Sequence, residues 1–400
     1  MINSICFICD RYPTTVTPAS QIFVQNLVWG MADQGVECSV ISPLPININY
    51  RYTFYPRSAE QRTPAGKIVK VYYPRYFSFG QRYLPGFNSV RLTTAIFHNV
   101  AERQFRKLEK KPDVIYGHFL APAGIVAARI GRKYGIPAFA AYGESGPWSV
   151  ERFGQAAITR ELDSLSGIVA VSSKNKGELT ELAVKSEDKI AVFPNAVDSD
   201  RFYPRDKAEA RKKYGFPQEA FIIAFVGHFD ERKGVLRVAE ALKGLEDVYV
   251  IYAGQGDQDP RNSNTLHCGL VKPEEMPVFL SAADAFLLPT LKEGCCNAVV
   301  EAMACGLPVI SSNRPFNFDI LTEDSASLID PENISEIRAA VIRLRDDYQL
   351  RRKNSLASLE RASSLNQKNR AANIWNWIKV MADNGKSRKG DKLFESNSAR

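Results

Sequence analysis

Residues 285–311 read AFLLPTLKEGCCNAVVEAMACGLPVIS. Ala285 to Leu288 is a short apolar run, Asn297 to Ala304 reads as a helix, and Pro308 to Ser311 is apolar again. A strand, a loop, a helix and a second strand in so few residues make a parallel crossover unit. Two carboxylates bracket its turn, Glu293 in the loop and Glu301 about one turn into the helix. Asn297 is expected to cap the helix, leaving the amides of Ala298, Val299 and Val300 pointing out of its start. There they and the helix dipole favour a diphosphate. One glutamate can then read a sugar and the other a ribose.

The same alternation extends upstream. Phe221 to Val226, a helix from Val235 to Leu245 and Val248 to Tyr252 precede a helix near Glu274 to Ala282. Pro194 to Pro204 is turn-rich. Before it come the strands Ile2 to Ile8, Val36 to Ser42, Val114 to Tyr116, Ile136 to Tyr142, Gly167 to Val171 and Lys189 to Phe193, with helices between them. The pattern predicts an α/β chain of two doubly wound units, each a mostly parallel sheet with helices on both faces. The expected division is 1–196, 197–365, a helix over 366–382 that returns to the first unit, and a disordered tail over 383–400, where Lys, Ser, Asn and Gly dominate.

At 400 residues, with 45% hydrophobic and 24% charged residues, two ordinary cores are affordable. No apolar run reaches the roughly 18 to 20 residues that cross a bilayer, and no basic leader opens the chain, so the cytosol is the expected compartment. Seven scattered cysteines suit free thiols. Cys6 and Cys9 form a C-x-x-C, but inside an apparent buried strand, where they read as small core residues. Between Arg51 and Lys111 thirteen Lys and Arg face three Glu, so this one segment is worth +10 and the rest of the +8 chain about −2. Within it the stretch from Tyr52 to Phe87, Tyr83 included, holds ten aromatics, and such a mixture suits an anionic membrane surface. No nucleic-acid motif accompanies it.

The Glu293 to Glu301 spacing, with the Gly, Asn and Pro around it, resembles the E-x7-E signature of retaining glycosyltransferases of family 4. Other pieces agree in order: Phe225 to Gly234 resembles the family's glycine loop ending in Lys-Gly, Pro194 to Asp198 its inter-domain segment, and His118 to Gly124 its acceptor-side histidine motif. The similarity runs from about residue 4 to 380 and is nearest to transferases of bacterial teichuronic-acid, capsule and exopolysaccharide assembly.

The resemblance implies the GT-B fold, two Rossmann-like doubly wound domains facing across a cleft, and a nucleotide-sugar donor, a UDP-sugar ahead of a GDP-sugar. It implies a saccharide or lipid-linked acceptor, no cofactor and no metal. Glu293 would hold the transferred sugar, Glu301 the ribose, and Lys233 the diphosphate. Gly227, His228, Arg232, Gly294, Asn297, Ala298 and Val299 would complete the donor contacts, and His118 would act on the acceptor side. The chain departs from the family pattern at His228, which stands for an Arg, at Tyr142-Gly143, which stands for His-Gly, and at Ala19-Ser20, which stand where Gly is usual. A nucleotide-sugar epimerase of the same fold, a nucleic-acid-binding protein using residues 51–111, and a catalytically silent scaffold are the competing readings.

Overall fold

The computed structural model describes residues 2–18, 20–80, 83–84 and 87–397, with side chains described except at 83, 84, 87 and 385–397. Ala19 and the side chains of Tyr83 and Phe87, named above, therefore lie outside the described residues. The chain divides into two compact units. The first comprises residues up to Val171, Asn175–Phe193 and the chain from Lys368; the second comprises Ser172–Lys174 and Pro194–Gln367.

In the first unit the strands are β1 (Ser4–Cys9), β2 (Glu37–Ile41), β3 (Ser58–Arg62), β4 (Ile68–Tyr72), β5 (Val114–His118), β6 (Ala138–Tyr142), β7 (Gly167–Ala170) and β8 (Ile190–Val192). Among the described residues they form one sheet in the order β8-β7-β6-β5-β1-β2-β4-β3. Its pairings are parallel except for the β3–β4 hairpin at the edge. The interior strands β1, β5 and β6 are buried at every position, as strands covered on both faces must be. The hairpin strand β4 alternates, with Val69 and Val71 buried and Ile68 and Lys70 exposed.

Side chains of a strand alternate between faces, and β1 divides accordingly. Ile5, Phe7 and Cys9 enter the core on one side, while Cys6 and Ile8 enter the core on the other. Cys6 and Cys9 thus sit on opposite faces, and burial holds both thiols up. The first core is closed by α1 (Ile22–Asp33) and by a long C-terminal helix (Gln367–Asn397) through Ala371, Ile374, Trp375, Ile378 and Ala382. The second packs α2 (Ser89–Arg106) and α3 (Ile125–Tyr134) beside α4 (Trp148–Phe153). Trp377 lies edge-on to Phe139 and Phe193 and abuts Gly167, where a Cβ would come 2.5 Å from the outer edge of its ring.

The C-terminal helix continues along the backbone of 383–397, which composition assigned to a disordered tail; residues 398–400 lie outside the described set. No proline interrupts that stretch, and extending a formed helix adds one hydrogen bond per residue without a new nucleus.

In the second unit β9 (Phe221–Val226), β10 (Val248–Ala253), β11 (Thr265–Gly269), β12 (Ala285–Leu288), β13 (Val309–Ser312) and β14 (Ala326–Ile329) form a parallel sheet ordered β11-β10-β9-β12-β13-β14. The chain winds outward in one direction from β9 and in the other from β12. The carboxyl ends of these two neighbours are therefore the topological switch point, where such sheets bind ligands. His267 lies on β11, the edge strand that ends at Gly269. The His267 ring packs on Phe279 at 5.0 Å.

Candidate active site

Two loops leave the switch point. Gly227 to Gly234 joins β9 to α5 (Val235–Leu242), and Pro289 to Cys296 joins β12 to α6 (Asn297–Ala304). In the first loop the Asp230 carboxylate accepts from the Lys233 amide at 2.8 Å. Gly234 then turns with φ +78°, and a Cβ there would approach the Pro289 carbonyl to 2.7 Å. Gly254 packs flush on the loop's start, where a Cβ would lie 1.9 Å from the Gly227 carbonyl oxygen.

The loops are laced together. The Leu291 amide and the Thr290 hydroxyl donate to the Arg232 carbonyl at 2.8 and 3.2 Å. The Arg232 guanidinium donates to the Lys292 carbonyl at 3.1 Å and to Glu293 Oε1 at 2.6 Å. Lys233 Nζ also lies 2.6 Å from Glu293 Oε1, and the buried Thr290 hydroxyl shares its one proton between the Arg232 carbonyl and this oxygen, at 3.2 Å from each. One carboxylate oxygen gathers two cations and a hydroxyl. Burial pulls the Lys233 ammonium down, but the neighbouring Cys296 sulfur and Glu293 carboxylate outweigh it, and Lys233 stays above its ordinary value. It is a cation at every working pH.

The α6 start differs from expectation. Cys296, with extended backbone, is the N-cap, and Asn297 is already the first helical residue. The helix begins one residue early because the loop enters it at Cys296, so side-chain capping by Asn297 does not occur. The first-turn amides without an intrahelical partner belong to Asn297, Ala298 and Val299 rather than to Ala298 to Val300, and those of Ala298 and Val299 face the Cys296 sulfur. Cys296 Sγ lies 3.9 Å from Lys233 Nζ, and Asn195 donates its side-chain amide to the Cys295 carbonyl at 3.0 Å. His228 is more than half exposed, with Nδ1 3.4 Å from Asp230 Oδ2. Arg232 sits 3.9 Å from the same oxygen. Glu301, half-buried on α6, is pushed up to about 7 by desolvation, which the Arg201 charge only partly opposes.

In the first unit His118 ends β5, only 6% exposed and wedged among Phe23, Tyr116 and Phe119. Burial, reinforced by Arg370, pushes its imidazole down to about 3, and among the described residues Nδ1 has no hydrogen-bond partner. Tyr142 points into the core, its hydroxyl donating to Glu178 at 3.0 Å. The position that departs from the family's histidine is thus structural.

Two family models match the chain, "Glycosyltransferase Family 4" over residues 20–201 and "Glycosyl transferases group 1" over residues 206–358. The chain is a family 4 glycosyltransferase with the GT-B fold. The transferase is 25% identical to TuaC of Bacillus subtilis (strain 168), assigned as a teichuronic acid biosynthesis glycosyltransferase, over 85% of this chain and 88% of that protein. It is 32% identical to the UDP-Gal:alpha-D-GlcNAc-diphosphoundecaprenol alpha-1,3-galactosyltransferase of Escherichia coli, over 40% of this chain and 46% of that one. Its fold matches sucrose-phosphate synthase from Thermosynechococcus elongatus with a TM-score of 0.75 and 18% identity, covering 95% and 99% of the two chains.

Within the transferase the structure brings Gly227, Arg232, Lys233 and Glu293 together and places Gly294 and the α6 amides on the adjoining turn. Sequence reasoning missed Asp230, which fixes the Lys233 turn, and Thr290, which braces Glu293. Both lie inside quoted stretches, and a polar residue just past an apolar strand, as Thr290 is past β12, is a readable signal. Cys296, beside Lys233, carried none.

Proposed function

We propose that the transferase moves a sugar, with retention of anomeric configuration, from a UDP-sugar to a lipid-linked saccharide in cell-surface polysaccharide or glycolipid assembly. The observation that carries this reading is the Lys233–Glu293–Arg232 cluster beside the open amides of α6. In the free site the carboxylate holds both cations. An arriving diphosphate takes Lys233 and the amides, and Glu293 turns to the sugar hydroxyls. Departure of the nucleoside diphosphate builds negative charge that fixed cations and amides stabilise. The acceptor hydroxyl then attacks the face being vacated, without a protein nucleophile, and passes its proton to an oxygen of the departing diphosphate. The diphosphoundecaprenol acceptor and UDP-Gal donor named for the Escherichia coli relative favour this donor and acceptor class. Thermal shift with UDP, GDP and ADP tests it: UDP should raise Tm most, and a larger shift with GDP would replace the base assignment.

The catalytic charge is assigned to side chains and amides, so transfer needs no divalent ion. Activity should survive excess EDTA within about twofold. Complete loss, restored by Mn2+ or Mg2+, would overturn this assignment.

The transferase works at the inner face of an anionic membrane. Of the aromatics between 51 and 111, Tyr73, Tyr76, Phe97 and Phe105 are core residues, so the sequence-level stripe divides. Phe54, Phe77 and Phe79 stay exposed, joined by Ile48 and Tyr50. Asn47 and Ser78 hydrogen-bond both ways and hold the two exposed loops side by side. Below them lies a cavity of about 520 Å3 lined by Leu44, Ile48, Tyr52, Tyr76 and Pro122 among others. Apolar rings amid basic residues suit lipid, each Lys or Arg adding about 1 kcal/mol near an anionic surface. Co-sedimentation with phosphatidylglycerol vesicles should fall several-fold at high salt and in Phe54→Ser/Phe77→Ser. Equal recovery with neutral and anionic vesicles would count against it. No helix among the described residues is long and apolar enough to cross a membrane.

A further inference from the structure

A second cavity in the first unit has chemistry of its own. The carboxyl ends of β1, β5 and β6 lie side by side, and β1 and β5 lead away in opposite directions, which makes them the first sheet's switch point. Asp10 follows β1, Phe119 follows β5, and Glu144 stands two residues after β6. With Val90, Trp148 and Arg152 these line a cavity of about 290 Å3.

The two carboxylates are held rather than neutralised. Asp10 accepts from the Gln21 side-chain amide at 3.2 Å. Glu144 accepts from the Ser149 amide at 2.9 Å and from the Ser149 hydroxyl. Neither has a salt bridge among the described residues, and burial raises both. The charges facing Glu144 are Glu178, which raises it further, and Arg152, which opposes; Arg11 opposes at Asp10. The Arg152 guanidinium is drawn instead over the Trp148 ring, 5.8 Å from its centroid. The indole stays 46% exposed, and its Nε1 donates to Ser145 at 3.3 Å.

Resting on the transferase reading above, we propose that this cavity seats the terminal sugar of the acceptor and selects an uncharged pyranose over an anionic one. A pyranose presents hydroxyl donors at its rim and C–H surface on its faces. Asp10 and Glu144 accept from the hydroxyls, while Trp148, Val90 and Phe119 cover the C–H surface. A uronate or sugar phosphate brings a third negative group against two partly desolvated carboxylates, and like charges so placed are strongly disfavoured. Asp10 also lines the 520 Å3 cavity under the exposed aromatic loops, so a sugar here continues towards lipid.

The test uses the full chain without donor and matched methyl glycosides: glucoside with glucuronide, galactoside with galacturonide, mannoside with mannuronide. Matching removes ring stereochemistry from the comparison. Saturation-transfer NMR competition should show at least one neutral glycoside binding about tenfold or more tighter than its uronide. Glu144→Gln should narrow that gap by admitting the uronide, a readout that a merely structural role would not move. Trp148→Ala should weaken neutral and anionic members alike. UDP affinity, measured on the same samples, should be unchanged in both variants. Uronides binding as tightly as their neutral partners, or a gap unaltered in Glu144→Gln, would overturn the proposal. Failure of UDP to bind the wild type would instead overturn the donor reading and leave the glycoside preference standing.

Discussion

Lys233→Ala should lower kcat by about 10²–10³-fold, the loss typical when one fixed stabiliser of developing negative charge is removed. On the proposed reading Lys233 is such a group, because its ammonium is nearly buried and stays charged. Its stem lies over Gly227, where a Cβ would be 3.4 Å from the lysine Cδ, so the head is delivered from a fixed direction. Glu293→Ala should lose a similar factor for a different reason, since it removes the proposed sugar contact and releases both Lys233 and Arg232. Steady-state kinetics at saturating acceptor separate the two. Lys233→Ala should weaken UDP itself, whereas Glu293→Ala should leave UDP binding within a few-fold while turnover collapses. Wild-type turnover in Lys233→Ala would remove the lysine from the mechanism.

The second large effect concerns Glu301, whose carboxyl is pushed up to about 7 in the free site. In its proposed ribose-holding role the ionised form accepts from ribose hydroxyls, so donor binding would favour the carboxylate and draw its pKa down. Donor affinity should therefore be full above pH 7 and fall as pH drops below it, towards about tenfold per unit. Glu301→Gln should bind donor more weakly at pH 8 and lose this acidic limb. The sign for folding is opposite. A carboxyl raised in the folded state binds more protons there than in the unfolded chain, so stability declines as pH rises from about 4.5 to about 7. Glu301→Gln escapes that loss, and its Tm should exceed wild type above pH 7 and match it near pH 4. Calorimetry at the two pH values, with donor titrations alongside, checks both halves. A Gln variant less stable at pH 8 would place the carboxylate in a structural role.

Much of this was legible because the deciding strands are buried on both faces. Phe221–Val226, Ala285–Leu288 and the helix Asn297–Ala304 have the bounds their apolar runs predict. The β3–β4 hairpin and α2 were hidden inside a stretch read only as basic and aromatic, because each shows charges to solvent on one side. The cap at Cys296 was misplaced by one residue because backbone conformation, not the best capping side chain, fixes where a helix starts. The convergence of Arg232, Lys233 and Thr290 on one oxygen of Glu293 joins residues up to sixty-one positions apart. No local pattern encodes that. Glu144 fell outside the motifs, and only the adjacency of β1, β5 and β6 sets it near Asp10.

The helix that completes one face of the first unit has a consequence for biogenesis. Ala371, Ile374, Trp375 and Ile378 fill a core begun by Ile5 and Phe7, yet they are translated after every strand of the second unit. The second unit is continuous from Pro194 to Gln367 apart from a three-residue contribution. It can therefore condense on the ribosome while the first still waits, with the surfaces of Phe139 and Gly167 that receive Trp377 uncovered. At elongation rates of about 5–20 residues per second, that wait lasts on the order of ten seconds or more. During it, nascent chains are exposed to chaperones and to one another, so slowing translation across the second half should lower soluble yield without altering the finished enzyme.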